Sequence, residues 1–299
     1  MSVAMLLDPI TQGLVYGIMA LGVYLTFRIL DFPDLTVDGS FPLGAAVAAR
    51  LIVGGVSPLA ATLAAIFSGM IAGVITGVLN TKLKITGLLS GILTMTALYS
   101  INLRIMGRAN IPLLGETTIF DLLEPLGLST DMVILVSFLF ISFAAKFIID
   151  WFLQTELGLS LRATGDNKEM IRSLGVNTDN TVILGLALSN GLVALSGALV
   201  AQYQGFTDVK MGIGMIIIGL ASVIIGETVI NSEKIKLATL GVLMGSIVYR
   251  AVITLALRMN LNPNDLKLIT ALLVIGALGA PAIRSKLNDT SLIGGEEKC

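Results

Sequence analysis

About nine runs of apolar residues, separated by short polar stretches, set the pattern of this chain. They lie near 10–30, 41–54, 58–79, 87–105, 132–150, 181–203, 211–230, 237–257 and 266–283. A helix that crosses a bilayer needs about 20 largely apolar residues in succession, and most of the runs approach that length. The second run is short and follows Pro33 and Pro42, which predicts a broken or half-spanning piece. The pattern therefore predicts an all-α membrane protein, a polytopic bundle of about 8–10 transmembrane helices forming one domain over 1–299. Its halves run roughly over 1–150 and 181–285, joined by a polar loop at 151–180.

Two polar stretches stand out, 106–131 and 151–180. The first has an acidic tilt from Glu116, Asp121, Glu124 and Asp131. Cytoplasmic loops retain Lys and Arg, so the distribution of positive charge orients the bundle. With 151–180 inside, the inner side holds Arg28, Lys82, Lys84, Lys146, Arg162, Lys168, Arg172, Lys234, Lys236, Arg284, Lys286 and Lys298. The outer side holds Arg50, Arg104, Arg108, Lys210, Arg250, Arg258 and Lys267. Twelve against seven places the C-terminus inside and, with an odd number of spans, the N-terminus outside. The first run follows no Lys/Arg-rich start or small-residue cleavage site, so Ile10 to Leu30 reads as a retained span.

Composition agrees with lipid as the solvent. The chain is 55% hydrophobic and 13% charged, with a mean hydropathy of +0.91, where soluble domains carry about 25% charged residues. A net charge of -1 argues against nucleic acid as a partner. There is no histidine, and Cys299 is the sole cysteine, which removes most zinc sites and every disulfide within the chain. Cys299 reads as an inert terminal residue, with acylation as the alternative. No metal site is expected.

The loop at 151–180 reads W-F-L-Q-T-E-L-G-L-S-L-R-A-T-G-D-N-K-E-M-I-R-S-L-G-V-N-T-D-N. Gly158 permits a turn on leaving the membrane. Leu161-Arg162-Ala163 begins a short helix that Gly165 is expected to interrupt. Asp166 or Asn167 caps a second helix, Lys168 to Leu174, that Gly175 ends. The prediction is a helical elbow, polar outside, with Leu161, Ala163, Met170, Ile171 and Leu174 packing. It has too little core to be a domain and suits insertion into a groove on another protein; the plain alternative is a solvated connector.

The stretches G-L-S-L-R-A-T-G-D-N and R-S-L-G-V closely resemble the cytoplasmic loop of ABC permeases for branched-chain amino acids, ribose and related solutes. The resemblance continues through L-A-L-S-N-G-L-V-A-L-S-G-A-L-V-A-Q-Y-Q-G, Gly212 and Gly219 to I-I-G-E at 224–227. There, family members often carry a glycine pair and this chain has Gly226-Glu227. T-F-R-I-L-D-F-P-D-L-T-V-D-G-S-F-P-L-G-A resembles the family's first broken membrane segment, closest to a branch associated with tryptophan or tyrosine uptake. The resemblance covers nearly the whole chain. It implies two pseudo-symmetric inverted halves and a coupling helix, within 158–175, that docks on a separate ATPase. The coupling residues it singles out are Gly158, Leu161, Arg162, Ala163, Gly165, Asp166, Asn167, Glu169, Arg172 and Gly175. It also implies an importer of two permease and two ATPase copies with an external solute-binding protein, in the bacterial plasma membrane. With one permease sequence, a homodimer is the simpler arrangement.

Asp34 and Asp38 sit near Arg28, Pro33 and Gly39, between two apolar runs. They predict either a broken helix lining the pathway or an interfacial loop in which Arg28 pairs with an aspartate. Phe206-Thr207-Asp208-Val209 echoes Phe32-Pro33-Asp34-Leu35, as an inverted repeat would. Thr94, Asn102, Asn190 and Arg250 lie within apolar runs. Bonding to a neighbouring helix is their first expected role and the translocation pathway the second. Gly69, Gly73 and Gly77 share one helix face and, with Ser189, Gly191, Ser196 and Gly197, are expected to allow close helix approach. No G-x-x-x-x-G-K-[ST] loop occurs, so ATP and Mg are expected on the partner ATPase, with no cofactor in this chain. The alternative is an ion-gradient carrier or channel using Asp34 and Asp38. An intramembrane enzyme has no support, because no HExxH motif and no nucleophile–base pair are present.

Overall fold

The computed structural model describes residues 4–121, 129–230, 232 and 234–258, with 268, 270–272, 275 and 276. Most of the run at 266–283 lies outside the described residues, as do Glu124, Lys267, Arg284, Lys286, Lys298 and Cys299. The helices are α1 (Ala4–Tyr24), α2 (Val37–Val53), α3 (Pro58–Thr81), α4 (Gly87–Met106), α5 (Thr130–Phe152), α6 (Glu156–Asp166), α7 (Lys168–Ser173), α8 (Thr178–Gln204), α9 (Met215–Val229) and α10 (Ile235–Arg258). Two short strands, β1 (Asn110–Pro112) and β2 (Phe206–Asp208), pair antiparallel with Ile111 opposite Thr207. Both strands lie in polar stretches between the apolar runs, where the sequence pattern predicts no element. The ladder lies where α4 and α8 both stop on left-handed glycines, Gly107 and Gly205.

Six of these helices are long and apolar enough to cross a membrane: α1 with the turn that follows it, α3, α4, α5, α8 and α10. The second and seventh runs are shorter than a span. Helix α2 has 17 residues and α9 has 15, so at 1.5 Å per residue they reach about 25 and 22 Å of a hydrocarbon core about 30 Å thick. Helix α2 starts at Val37, earlier than the apolar run suggested, and continues through Pro42. Proline cannot donate to the carbonyl four residues back, which leaves Asp38 O without its helical partner. Gly212 fits against that carbonyl and the Pro42 ring, where a β-carbon would collide with both.

Helix α1 is the hub of the bundle. Hydroxyls on three surrounding helices donate to its backbone carbonyls: Ser246 to Gly13, Ser142 to Leu14, Ser196 to Val15 and Ser189 to Gly22, at 2.6–2.9 Å. Such bonds tie helices together where the solvent offers no hydrophobic drive to associate. Helices α3 and α8 pack closely along the predicted glycine stripe. A β-carbon on Gly69 would strike Ala194 and the Asn190 carbonyl, one on Gly73 the Leu186 carbonyl, and one on Gly77 the Ile183 backbone. Gly226 lies inside α9, pressed against Gly241 of α10.

The polar connections sort to two ends. Lys82 in the α3–α4 turn reaches Asp179 at the start of α8 (3.4 Å), and Arg28 after α1 reaches Glu227 in the last turn of α9 (2.7 Å). The α6–α7 elbow shares this end, and the β1–β2 ladder occupies the other. Lys146, counted above among the loop cations, is instead buried in α5 with its ammonium on Asp150. Thr239 of α10 donates to the other Asp150 oxygen at 2.6 Å.

Candidate functional site

The break after α1 builds the centre of the molecule. A π-helical turn, Leu25–Ile29, closes α1, and Asp31 then takes a left-handed φ of 51°. Pro33 follows, restricting Phe32 and preventing any further helix. The chain then threads between the helices until α2 begins, with Phe32, Asp34 and Thr36 buried and Asp31 and Pro33 exposed. Asp34 is 2% exposed there. Its Oδ1 accepts from the Thr36 backbone N–H at 2.9 Å and its Oδ2 from Asn190 Nδ2 of α8 at 2.7 Å. Asn190 Oδ1 accepts in turn from Ser40 at 2.6 Å. Thr36, Thr76 and Thr94 form a hydroxyl chain joining this segment to α3 and α4 at 2.8 and 2.9 Å. The broken segment is thus a polar cross-brace enclosed by four helices. The interfacial-loop reading fails, because Arg28 pairs with Glu227 and reaches neither aspartate.

Asp38 sits in the first turn of α2 and accepts from the N–H groups of Gly214 and Ile216, at 2.9 Å each. It therefore caps α9, whose free N–H groups and dipole favour a negative charge. The starts of the two short helices meet at this one carboxylate. Asn102 of α4 donates from Nδ2 to Gly39 O at 3.2 Å, and its buried Oδ1 has no partner among the described residues. Asp34, Asp38, Asn102 and Asn190 are thus gathered around the start of α2. Arg250 lies elsewhere. Its guanidinium stacks on Tyr16, 3.6 Å from the ring centroid, and Tyr16 stacks on Phe41. Stacking of this half-buried arginine on an aromatic face offsets part of the cost of placing it in an apolar helix, while its Nε has no hydrogen-bond partner among the described residues. The echo of 32–35 at 206–209 is one of position, since both lead into short helices; their conformations differ, one buried within the bundle and the other starting as strand β2.

The elbow is built from α6 and α7. Thr155 caps α6, accepting from Gly158 N–H, and Asn167 caps α7, accepting from Met170 N–H at 2.9 Å. Gly175 closes α7 at a φ of 89°. Gly165 does not interrupt α6. It lets the helix lie against the Ile29 carbonyl, where a β-carbon would collide, and Gly158 does the same against Phe152 O at the turn from α5. Leu161 and Ile171 are buried against the bundle, and Ala163 is half-buried. Met170 and Leu174, expected to pack, are instead 50% and 70% exposed. Arg172 is tied back to Thr178 and Asp179 at 2.8 and 3.2 Å. Glu169 is exposed. Arg162 and Asp166 line a cavity of about 570 Å³ shared with Tyr24, Arg28 and Glu227. Lys146–Asp150 and Arg28–Glu227 were missed, although Lys146-x-x-x-Asp150 is legible as an i,i+4 pair in an apolar helix.

Residues 5–278 match the family described as the permease component of the branched-chain amino acid transport system. The tyrosine transport system permease protein of Clostridioides difficile is 46% identical over 96% of this chain and 94% of its own length. An uncharacterized protein of Rickettsia prowazekii is 36% identical over 92% of this chain and 97% of its own length. Among solved structures, a chain described as a metal-chelate type ABC transporter in an inward-facing conformation covers 94% of this chain and 85% of its own. The TM-score is 0.52 at 17% identity, a likeness of fold. A multi-pass helical bundle organised around a broken segment, matched over nearly its full length, makes this chain a member of the branched-chain amino acid transport system permease family, the membrane component of an ABC transporter.

Proposed function

We propose that this permease forms the translocation pathway of an ATP-driven bacterial importer for an amino acid, aromatic by analogy with the tyrosine permease. A separate ATPase, which binds ATP and Mg, docks on the α6–α7 elbow, and an external solute-binding protein delivers substrate. Two copies of this chain pair in the plasma membrane with the elbow and C-terminus cytoplasmic and the N-terminus outside. The observation that carries this reading is the two-faced elbow. Its inner face, through Leu161, Gly158 and Gly165, is fastened to the end of α1 and the turn from α5. Its outer face presents Met170 and Leu174 to solvent, which is how a protein-docking patch looks. A push on the elbow bears directly on Ile29, a few residues before the brace of Asp34 and Asn190.

An ion-gradient carrier fits less well. Each Asp34 oxygen already accepts a hydrogen bond in a closed interior, and Asp38 is engaged in capping α9. The test is co-expression with the ATPase and binding protein, then uptake of labelled L-tyrosine into liposomes. ATP-dependent uptake is expected, and Met170→Asp with Leu174→Asp should abolish ATPase co-purification without unfolding the permease. Arg162→Ala with Glu169→Ala should weaken coupling. Uptake by the chain alone on an ion gradient, or undiminished ATPase association in the Asp variants, would defeat the proposal.

A further inference from the structure

Beside the start of α2 lies a second cavity, of about 370 Å³, walled by α2, α4 and the segment before α9. That volume is within the range of small-molecule sites. Its polar lining comes from Asp38, Thr96, Tyr99, Ser100 and Asn102, and Ile213 helps form the apolar side. Among the described residues no Lys or Arg lines it, so its formal charge is that of Asp38 alone.

Its unused hydrogen-bonding capacity is mostly for accepting. Asn102 is fully buried and Nδ2 is engaged with Gly39 O, yet Oδ1 receives nothing from the described residues. A buried acceptor left empty costs about 1–3 kcal/mol, so a donor is expected in the functioning protein. Each Asp38 oxygen accepts one N–H from the start of α9 and retains a further lone pair. The neighbouring face of α4 is polar as well. Thr96, Ser100 and Arg104 stand one turn apart and exposed, a stripe unsuited to hydrocarbon and suited to an aqueous passage.

We propose that this cavity is a subsite for the ammonium end of the transported amino acid, an inference that rests on the permease reading above. The ammonium donates to an Asp38 oxygen and, once the buried Asn102 side chain turns toward the cavity, to its Oδ1, while the ligand side chain lies along Tyr99 and Ile213. A ligand with a carboxylate and no ammonium meets the like charge of Asp38 and gains nothing from the orphan acceptor, so it binds less well.

The test uses the permease–ATPase complex with Cys299→Ser, which removes the sole cysteine, and Ser100→Cys as a reporter. The rate of thiol labelling is read with L-tyrosine, tyramine (ammonium without carboxylate) or 4-hydroxyphenylpropionate (carboxylate without ammonium). Tyrosine and tyramine are expected to protect. At ten times the half-protecting concentration, labelling slows about tenfold by mass action, and 4-hydroxyphenylpropionate leaves the rate unchanged. Asn102→Leu, which removes the orphan acceptor, should raise the half-protecting concentration about tenfold. Asp38→Asn should act in the same direction; because Asp38→Asn alters the α9 cap and Asn102→Leu also removes the bond to Gly39 O, a rise in both variants with unchanged melting temperature is the decisive result. Equal protection by all three compounds, protection by none, a thiol the reagent cannot reach, or protection unchanged in Asn102→Leu overturns the subsite. ATP-driven tyrosine uptake is measured on the same preparation. Uptake without protection removes the subsite and leaves the permease reading standing; protection without uptake does the reverse.

Discussion

Replacing Lys146 by Met tests whether the α5–α10 contact depends on a desolvated ion pair. The side chains of Lys146 and Asp150 are 9% and 4% exposed, so water cannot take over for a lost partner. Met keeps the length of the aliphatic stem and removes the ammonium. Asp150 is then a buried carboxylate with a single side-chain donor, the Thr239 hydroxyl at 2.6 Å. Breaking one side of such a pair costs about 3–5 kcal/mol. For a chain of this size about 2 °C of melting temperature accompanies each kcal/mol, a drop of roughly 6–10 °C. Asp150→Leu should cost a similar amount. It strands the ammonium, although Thr239 can fall back on Ile235 O, which it already reaches at 3.1 Å. The double variant Lys146→Met/Asp150→Leu removes both charges and should melt within about 2 °C of the parent, since apolar replacements of buried pairs are often neutral. The assay is thermal unfolding of the detergent-purified permease at one scan rate. Single variants that melt with the parent, or a double variant that loses the sum of the two, would refute the desolvated-pair argument.

Asp34→Ala should destabilise the bundle by roughly 2–6 kcal/mol, because the Thr36 N–H and Asn190 Nδ2 both lose an acceptor; thermal unfolding reads it, and a loss below 1 kcal/mol argues that water enters the brace. Gly73→Leu should cost roughly 3 kcal/mol or more, since the β-carbon meets the Leu186 carbonyl, which cannot yield as a side chain would; monodisperse protein with an unchanged melting temperature contradicts it. Arg28→Ala should shift stability by no more than about 1 kcal/mol, because the pair with Glu227 is 63% and 38% exposed and screened by water. Asn167→Ala should cost about 1 kcal/mol locally by uncapping α7 and weaken ATPase co-purification, while Asn167→Asp should retain both.

What could be read in advance followed the range of the interaction. Asn167 and Gly175 announce their roles because a cap and a left-handed stop are local, and the stripe of Gly69, Gly73 and Gly77 is visible from helical spacing alone. Which helix fills that stripe was not visible, since α8 is more than a hundred residues away and its own small residues match several faces. Gly165 misled for the same reason. Its low helix propensity is a local cost of about 1 kcal/mol, outweighed by a close approach to Ile29 that only the folded bundle creates. Asp38 is the sharpest case. A carboxylate in the first turn of α2 looks like support for its own helix, yet its two oxygens hold the start of α9, across 176 and 178 residues of chain. Met170 and Leu174 failed in another way. A six-residue helix shows which side chains are apolar but not whether the surface they want belongs to this chain. If the ATPase covers Met170 and Leu174 as proposed, elbow stability should rise when it is bound.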